Sequence, residues 1–303
     1  MPSLKIGFIG LGRMGLPMSY RLLAAGFDLT VHNRSQGKVR QIAGAGAHPA
    51  ESADQVVRET DIVLACLPDV ATVERVFLGE DGIVASARPG QILVDHSTVG
   101  LDQSKTCAAA AGEKGALFLD APISGGTERA GDGTLTIMAG GPAEAFRRAL
   151  PSFQAMGTTV RHMGPAGTGT VAKLVNQLLV GIHSVAAAEA MLLAAKSGAD
   201  PALVFEVVNS GWGQSFMLAR NAPVMLDRSF DDARAPLRTL LKDLLLIQEL
   251  VRKLDAPTPG ADLAFRLFSE AAAAGLGDLD GPAVVLPMEE RAGCRIERVP
   301  SRE

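Results

Sequence analysis

Three side chains near the middle of this chain could do chemistry together. Lys173, Asn176 and Gln177 stand at i, i+3 and i+4 of an apolar run that nothing breaks between Gly169 and Ser197-Gly198. On a helix they face the same way. An ammonium there can give or take a proton, and two amides can hold the polar groups of a small ligand. Gly169, one turn earlier on that face, is expected to leave room for the ligand. A plainer reading stays open, in which Lys173 snorkels to solvent and the amides cap a neighbouring segment. A second candidate follows the apolar run Ala116–Asp120, where Ala121-Pro122-Ile123-Ser124-Gly125-Gly126 makes a turn. The Ser124 hydroxyl and the amides of Gly125 and Gly126 suit a carboxylate; an ordinary Pro/Gly turn is the alternative.

A third stretch has the glycine spacing of a phosphate-holding loop. Residues 4–9 read as a buried strand, and Gly10-Leu11-Gly12-Arg13-Met14-Gly15 leads from it into an amphipathic helix that stops at Gly26. A second strand follows at Phe27–His32. G-x-G-x-x-G between a strand and a helix is the dinucleotide fingerprint. Gly10 permits the turn, Gly12 lets a pyrophosphate touch the backbone, and Gly15 lets helix and strand pack closely. The helix start offers amides and the positive end of its dipole. The second strand ends in His32-Asn33-Arg34-Ser35, where a site selective for NAD carries an acid for the ribose 2′-hydroxyl. Asn33 can still bond the ribose, and Arg34 offers a fork for a 2′-phosphate, with Ser35 and Lys38 in support. NADP is therefore expected ahead of NAD, which stays possible.

These groups need a scaffold. Strands are expected at 61–68, 90–98, 116–120 and 133–141, alternating with helices as in a parallel sheet. Ligands of such sheets lie beyond the carboxyl ends of the strands. Gly10–Gly15, Leu67-Pro68 (over the adenine side), Thr98 and Ser124–Gly126 all follow strands. Strand signals cease after residue 164, giving a dinucleotide-binding domain over 1–164 and a helical domain over 165–288. The long helix, about 168–196, is too apolar for a surface and is expected to be a spine covered on several sides. Asp200-Pro201 starts another helix. Residues 236–254 form an apolar helix with Lys242-Asp243 embedded in it, and a further helix is expected at 261–275. Trp212 is either pocket wall or packing, and residues 289–303 read as a loose charged tail.

Composition narrows the classes. A formal net charge of −4 with mixed signs gives no nucleic-acid or anionic-membrane surface. Cys66, Cys107 and Cys294 have no metal-ligand spacing and fit a reducing cytoplasm. The five histidines show no ligand spacing, and His183 reads as a core residue. No signal peptide and no membrane span are expected.

Four stretches in this order, Gly7–Met18, Asp120–Gly126, Gly167–Gln177 and Lys242-Asp243-Leu244, resemble the β-hydroxyacid dehydrogenase family. That family includes 3-hydroxyisobutyrate dehydrogenase, tartronate semialdehyde reductase, L-threonate dehydrogenase and the glyoxylate/succinic semialdehyde reductases. The resemblance implies an α/β Rossmann-type N-terminal domain joined by a long interdomain helix to an all-α C-terminal domain. It implies a dehydrogenase of short 3-hydroxy acids, or reductase of their semialdehydes, that assembles as a homodimer or homotetramer and requires no metal. Carried over, Lys173 is the acid/base, and Ser124, Gly125 and Gly126 hold the substrate carboxylate. Asn176 and Gln177 complete the pocket, Thr98 lies near the nicotinamide and Lys242 reaches the cofactor. Two departures stand out. Gln177 replaces a second Asn found in some members, and Ala235 replaces an aromatic wall found in several, enlarging the expected pocket. The alternatives are an imine reductase of the same architecture, which usually lacks Lys here, and a non-catalytic NADP-binding module.

Overall fold

Five residues that alternate across a pleat start the chain's core: Lys5–Ile9 (β1) is buried from its second residue on. A computed structural model describes residues 4–298. From β1 the chain passes through a helix at Gly15–Ala24 (α1) to a parallel strand at Asp28–His32 (β2). Gln36–Ala43 (α2), His48–Pro49 (β3), Ala53–Glu59 (α3) and Ile62–Ala65 (β4) follow. Then come Val70–Leu78 (α4), Ile92–Asp95 (β5), Leu101–Glu113 (α5) and Leu117–Asp120 (β6). The strand order is β3-β2-β1-β4-β5-β6, all parallel, so the order reverses beside β1. That reversal opens a crevice at the carboxyl end of β1, where the glycine loop begins.

The sheet continues with Ile123–Ser124 (β7), a short helix Gly126–Asp132 (α6), Leu135–Gly140 (β8), Ala143–Met156 (α7) and Gly157–Gly164 (β9). Strand β8 runs antiparallel to β6 and β7 and parallel to β9. The two-residue β7 lies inside the turn expected at Ala121–Gly126, because Ser124 pairs with Thr136 before the glycines redirect the chain. One face of the sheet is covered by a core that includes Met18, Leu22, Ile42 and Phe153. The other is covered by Val56, Val73, Phe77 and Cys107. Burial of the Cys107 thiol, reinforced by the Asp95 charge, pushes its pKa up to about 12 and keeps it protonated.

The long helix α8 spans Thr168–Lys196. Two compact units meet inside it, between Leu174 and Val175, so its first turns pack with the sheet. The second unit adds Pro201–Asn209 (α9), Phe216–Leu226 (α10), Leu237–Leu254 (α11), Pro259–Ala271 (α12) and Leu286–Ala292 (α13). Leu244, Ala264 and Phe268 are buried in it, and a Cβ on Gly181 of α8 would stand 2.7 Å from Leu244. Asn221 of α10 donates to Ser184 Oγ at 3.2 Å, a buried polar tie. Helix α10 forms despite Pro223 within it, with the Ser215 hydroxyl accepting from Leu218 N–H at its start.

Two expectations need correction. Helix α8 is less covered than a spine: Val175 is 54 %, Leu179 46 % and Leu193 71 % exposed. Among the described residues it alone has the length and apolar composition of a membrane span, with 39 % of that stretch buried inside the protein. Nor are residues 289–298 loose. Glu289 is buried and accepts from Arg228 at 2.5 Å and from Ile296 N–H at 2.7 Å. Ile296 is fully buried, and Arg298 donates to Asp227 at 2.7 Å. A single apolar anchor and a buried ion pair hold a stretch whose composition looks unstructured. The rest of the expected tail lies outside the described residues.

Candidate active site

The glycine loop divides its labour as its spacing requires. Gly10 has φ +95°, and a Cβ there would lie 2.4 Å from Cys66 carbonyl oxygen. A Cβ on Gly15 would lie 1.9 Å from Gly10 O and 2.9 Å from the Phe8 ring, so α1 sits directly on the strand exit. A Cβ on Gly12 would meet nothing within 4 Å. The two outer glycines are filled by the protein's own backbone, and the middle one is open to a ligand. A dinucleotide pyrophosphate fits that cradle. Leu11 is buried and its N–H donates to Asn33 Oδ1 at 3.0 Å, while Asn33 Nδ2 donates to Ser35 O at 3.0 Å. Asn33 thus braces the loop against the end of β2. Arg13, Arg34 and Ser35 are exposed at this rim and Met14 is half-buried.

The neighbouring strand exits are tied to one another. Leu67 N–H donates to Ser97 Oγ at 2.9 Å, and Ser97 N–H donates to Asp95 Oδ1 at 2.9 Å. Pro68 is exposed and Thr98 half-buried just beyond. His96 is buried with Nδ1 2.6 Å from Ala121 O. Burial holds its pKa down to about 4 against the opposing pull of that bond, so the ring is neutral and Nδ1–H is the donor. The exits of β4, β5 and β6 are therefore laced together along one edge of the sheet.

Asp120, the last residue of β6 and named in the sequence only as the first residue of a motif, joins two of the candidates. Its Oδ1 accepts from Gly167 N–H and its Oδ2 from Thr170 N–H, both at 2.7 Å. Burial raises its pKa, and these two backbone bonds oppose the rise. Four residues along the chain lies Ser124, half-buried, followed by Gly125 at φ +140° and Gly126 at φ +70°, both exposed. Three residues beyond Thr170 lies Lys173, buried at 7 % exposure. Gly169 does not leave room for a ligand: a Cβ there would lie 2.2 Å from Met138 O and 2.5 Å from Asp120 O. Strand backbone fills that side of the helix, which period alone could not assign.

On the following turn of α8, Asn176 and Gln177 are half-buried. Asn176 Nδ2 donates to Gln177 Oε1 at 2.9 Å, and Gln177 Nε2 donates to Asp243 Oδ2 at 2.5 Å. Lys242 Nζ makes an ion contact with Asp243 Oδ1 at 2.9 Å. Gln177 therefore links Asn176 to the buried Asp243, a residue the sequence reading named only as part of a motif. Among the described residues, no group of three or more His, Cys, Asp or Glu is gathered to hold a metal ion.

Comparison with known proteins covers nearly the whole chain. Residues 5–164 match the family described as the NAD binding domain of 6-phosphogluconate dehydrogenase. Residues 167–288 match the NAD-binding domain of NADP-dependent 3-hydroxyisobutyrate dehydrogenase. An NAD-dependent L-serine dehydrogenase of Pseudomonas aeruginosa is 38 % identical, over 87 % of this chain and 91 % of that protein. A 2-hydroxy-3-oxopropionate reductase of Escherichia coli is 35 % identical, over 97 % and 100 %. Among solved structures, a 3-hydroxyisobutyrate dehydrogenase from Salmonella typhimurium superposes with a TM-score of 0.86 at 31 % identity, covering 94 % of this chain and all of that one.

Proposed function

Because the chain belongs to the β-hydroxyacid dehydrogenase family and is an NAD(P)-dependent oxidoreductase, we propose that it interconverts a short 3-hydroxy acid and its semialdehyde or keto acid. Two of its relatives are named for serine and 2-hydroxy-3-oxopropionate, each a carboxylate with a hydroxyl or carbonyl two carbons away. The observation that carries the proposal is Lys173, buried on α8 one turn from the Asp120 contacts that lead back to Ser124. The bound nicotinamide supplies or receives the hydride.

The chain's residues do the rest. Ser124 Oγ and the Gly125 and Gly126 amides hold the substrate carboxylate and fix its orientation. In reduction, the Lys173 ammonium donates a proton to the oxygen that becomes a hydroxyl; in oxidation, its amine takes that proton back. Asn176 holds the same oxygen by its amide, anchored through Gln177 to Asp243. The amides of Gly10–Gly15 take the pyrophosphate, and Thr98 borders the nicotinamide. Leu67 and Pro68 border the adenine, and Arg34 with Ser35 takes a 2′-phosphate. NADP is the preferred cofactor in this reading, with NAD usable.

The imine-reductase reading is weaker because a lysine with a carboxylate-holding turn serves acids, not imines. The protein is read as a soluble cytoplasmic homodimer or homotetramer, with no nucleic-acid or membrane partner. Helices α9 and α10 and the turn between them expose Leu203, Val207, Trp212 and Phe216, apolar side chains suited to a second copy. A panel of hydroxy acids and semialdehydes, each with NADP and NAD, tests the function. Turnover of cyclic imines without turnover of any hydroxy acid would overturn it.

A further inference from the structure

Asp120 has a chemical position that its place at the end of a strand does not explain. It is 1 % exposed, and both carboxylate oxygens are spent on backbone N–H groups at the start of α8. Those donors lie 47 and 50 residues away in sequence, so the bonds are a tertiary clamp. The approach is tight on both sides. A Cβ on Gly140 would stand 2.6 Å from Asp120 Oδ1 and 2.8 Å from Gly169 N, and one on Gly169 would strike Asp120 O. The first turn of α8 therefore has one seating on the ends of β6 and β8. On the next peptide, Ala121 O accepts from the neutral His96 ring, which fastens the same point to the exit of β5 before Ser97 and Thr98.

We infer that Asp120 is a positioning residue: its carboxylate sets Lys173 at a fixed separation from the Ser124–Gly126 turn. The inference rests on the proposed role of Lys173. Hydride and proton must reach one carbonyl group, so the proton donor has to be registered against the turn that holds the carboxylate. A displacement of about 1 Å in such a group costs on the order of a hundredfold in rate. Asparagine at 120 keeps the volume but turns an NH2 group toward one of the two backbone donors, which releases that half of the clamp.

The test is a double-mutant cycle on kcat with Asp120→Asn, Lys173→Ala and the pair, alongside NADP affinity and thermal unfolding of each. Asp120→Asn is expected to lower kcat by about tenfold to a hundredfold. NADP affinity should hold, and substrate KM should change less than kcat. In the Lys173→Ala background the same substitution should cost less than about threefold, because the group it positions is gone. Equal losses in both backgrounds would overturn the inference, as would a loss of NADP affinity matching the loss of kcat. A Lys173→Ala enzyme that keeps near wild-type turnover would instead overturn the role of Lys173, whatever Asp120→Asn does. If the Asn variant fails to fold, Thr170→Pro replaces it in the cycle. It removes one of the two donors in the first helical turn, where proline is tolerated, and the same outcomes decide.

Discussion

At the scale of single residues, the side chains quoted from the sequence are present, but their partners were not legible. Local spacing places Lys173, Asn176 and Gln177 on one helix because i, i+3 and i+4 are neighbours by geometry alone. Asp120 and Asp243 find their partners 47 to 66 residues away, and no local period reports such pairs. Gly169 fails for a related reason: periodicity gives a face but not what the face meets, and here it meets strand backbone. The proposed role of Arg34 rests on residue type alone, an exposed guanidinium in the place where an acid would select NAD. Arg34→Ala is expected to raise the NADP Michaelis constant roughly ten- to a hundredfold, since a charge-assisted bond is worth about 1.5–3 kcal/mol. The NAD constant should barely move. Steady-state kinetics with both cofactors measures this, and a wild-type enzyme that strongly prefers NAD contradicts it.

At the scale of elements, the glycine loop tests what the G-x-G-x-x-G spacing is for. Gly15→Ala drives a Cβ onto the Gly10 carbonyl, which cannot rotate away. It should destabilise the fold by about 1–3 kcal/mol, the usual range for overpacking. Gly12→Ala meets no protein atom and sits outside the positive-φ glycines, so thermal unfolding should be nearly unchanged. Its methyl occupies the space given to the pyrophosphate, and NADP affinity should fall at least about tenfold, or 1.4 kcal/mol. If Gly12→Ala binds NADP as well as wild type, the loop does not cradle phosphates. Strands β1, β2, β4, β5 and β6 were readable because each is a short apolar run beside a helix, whereas the exposed His48–Pro49 pair of β3 carries no such signal. The two-residue β7 and the proline-containing α10 were not, since tertiary pairing and a serine cap decide them.

At the scale of the whole molecule, stability and catalysis report different groups. His96 has an unfolded value of 6.5 and is held at about 4 in the fold. Between those values the unfolded chain binds the extra proton, so stability is full above pH 6.5 and is lost as pH falls toward 4, on the order of 3 kcal/mol. Asp120, whose pKa is raised, acts in the opposite sense, its contribution being largest at low pH and declining as it ionises. Comparing urea unfolding of wild type and His96→Gln across pH 4–7 isolates the histidine: the slope should flatten in the variant, and an unchanged slope would contradict the assignment. The central claim concerns the proton. A reduced carbonyl needs a donor within hydrogen-bond reach, and Lys173 is the ionisable side chain buried on the helix turn that Asp120 clamps. The most direct measurement is the turnover of Lys173→Ala beside its NADP dissociation constant. The expected result is a loss of about 10²–10⁴-fold in kcat, the range of general acid–base catalysis, with NADP binding intact. A variant that keeps more than about a tenth of wild-type turnover, well short of that range, would contradict the account.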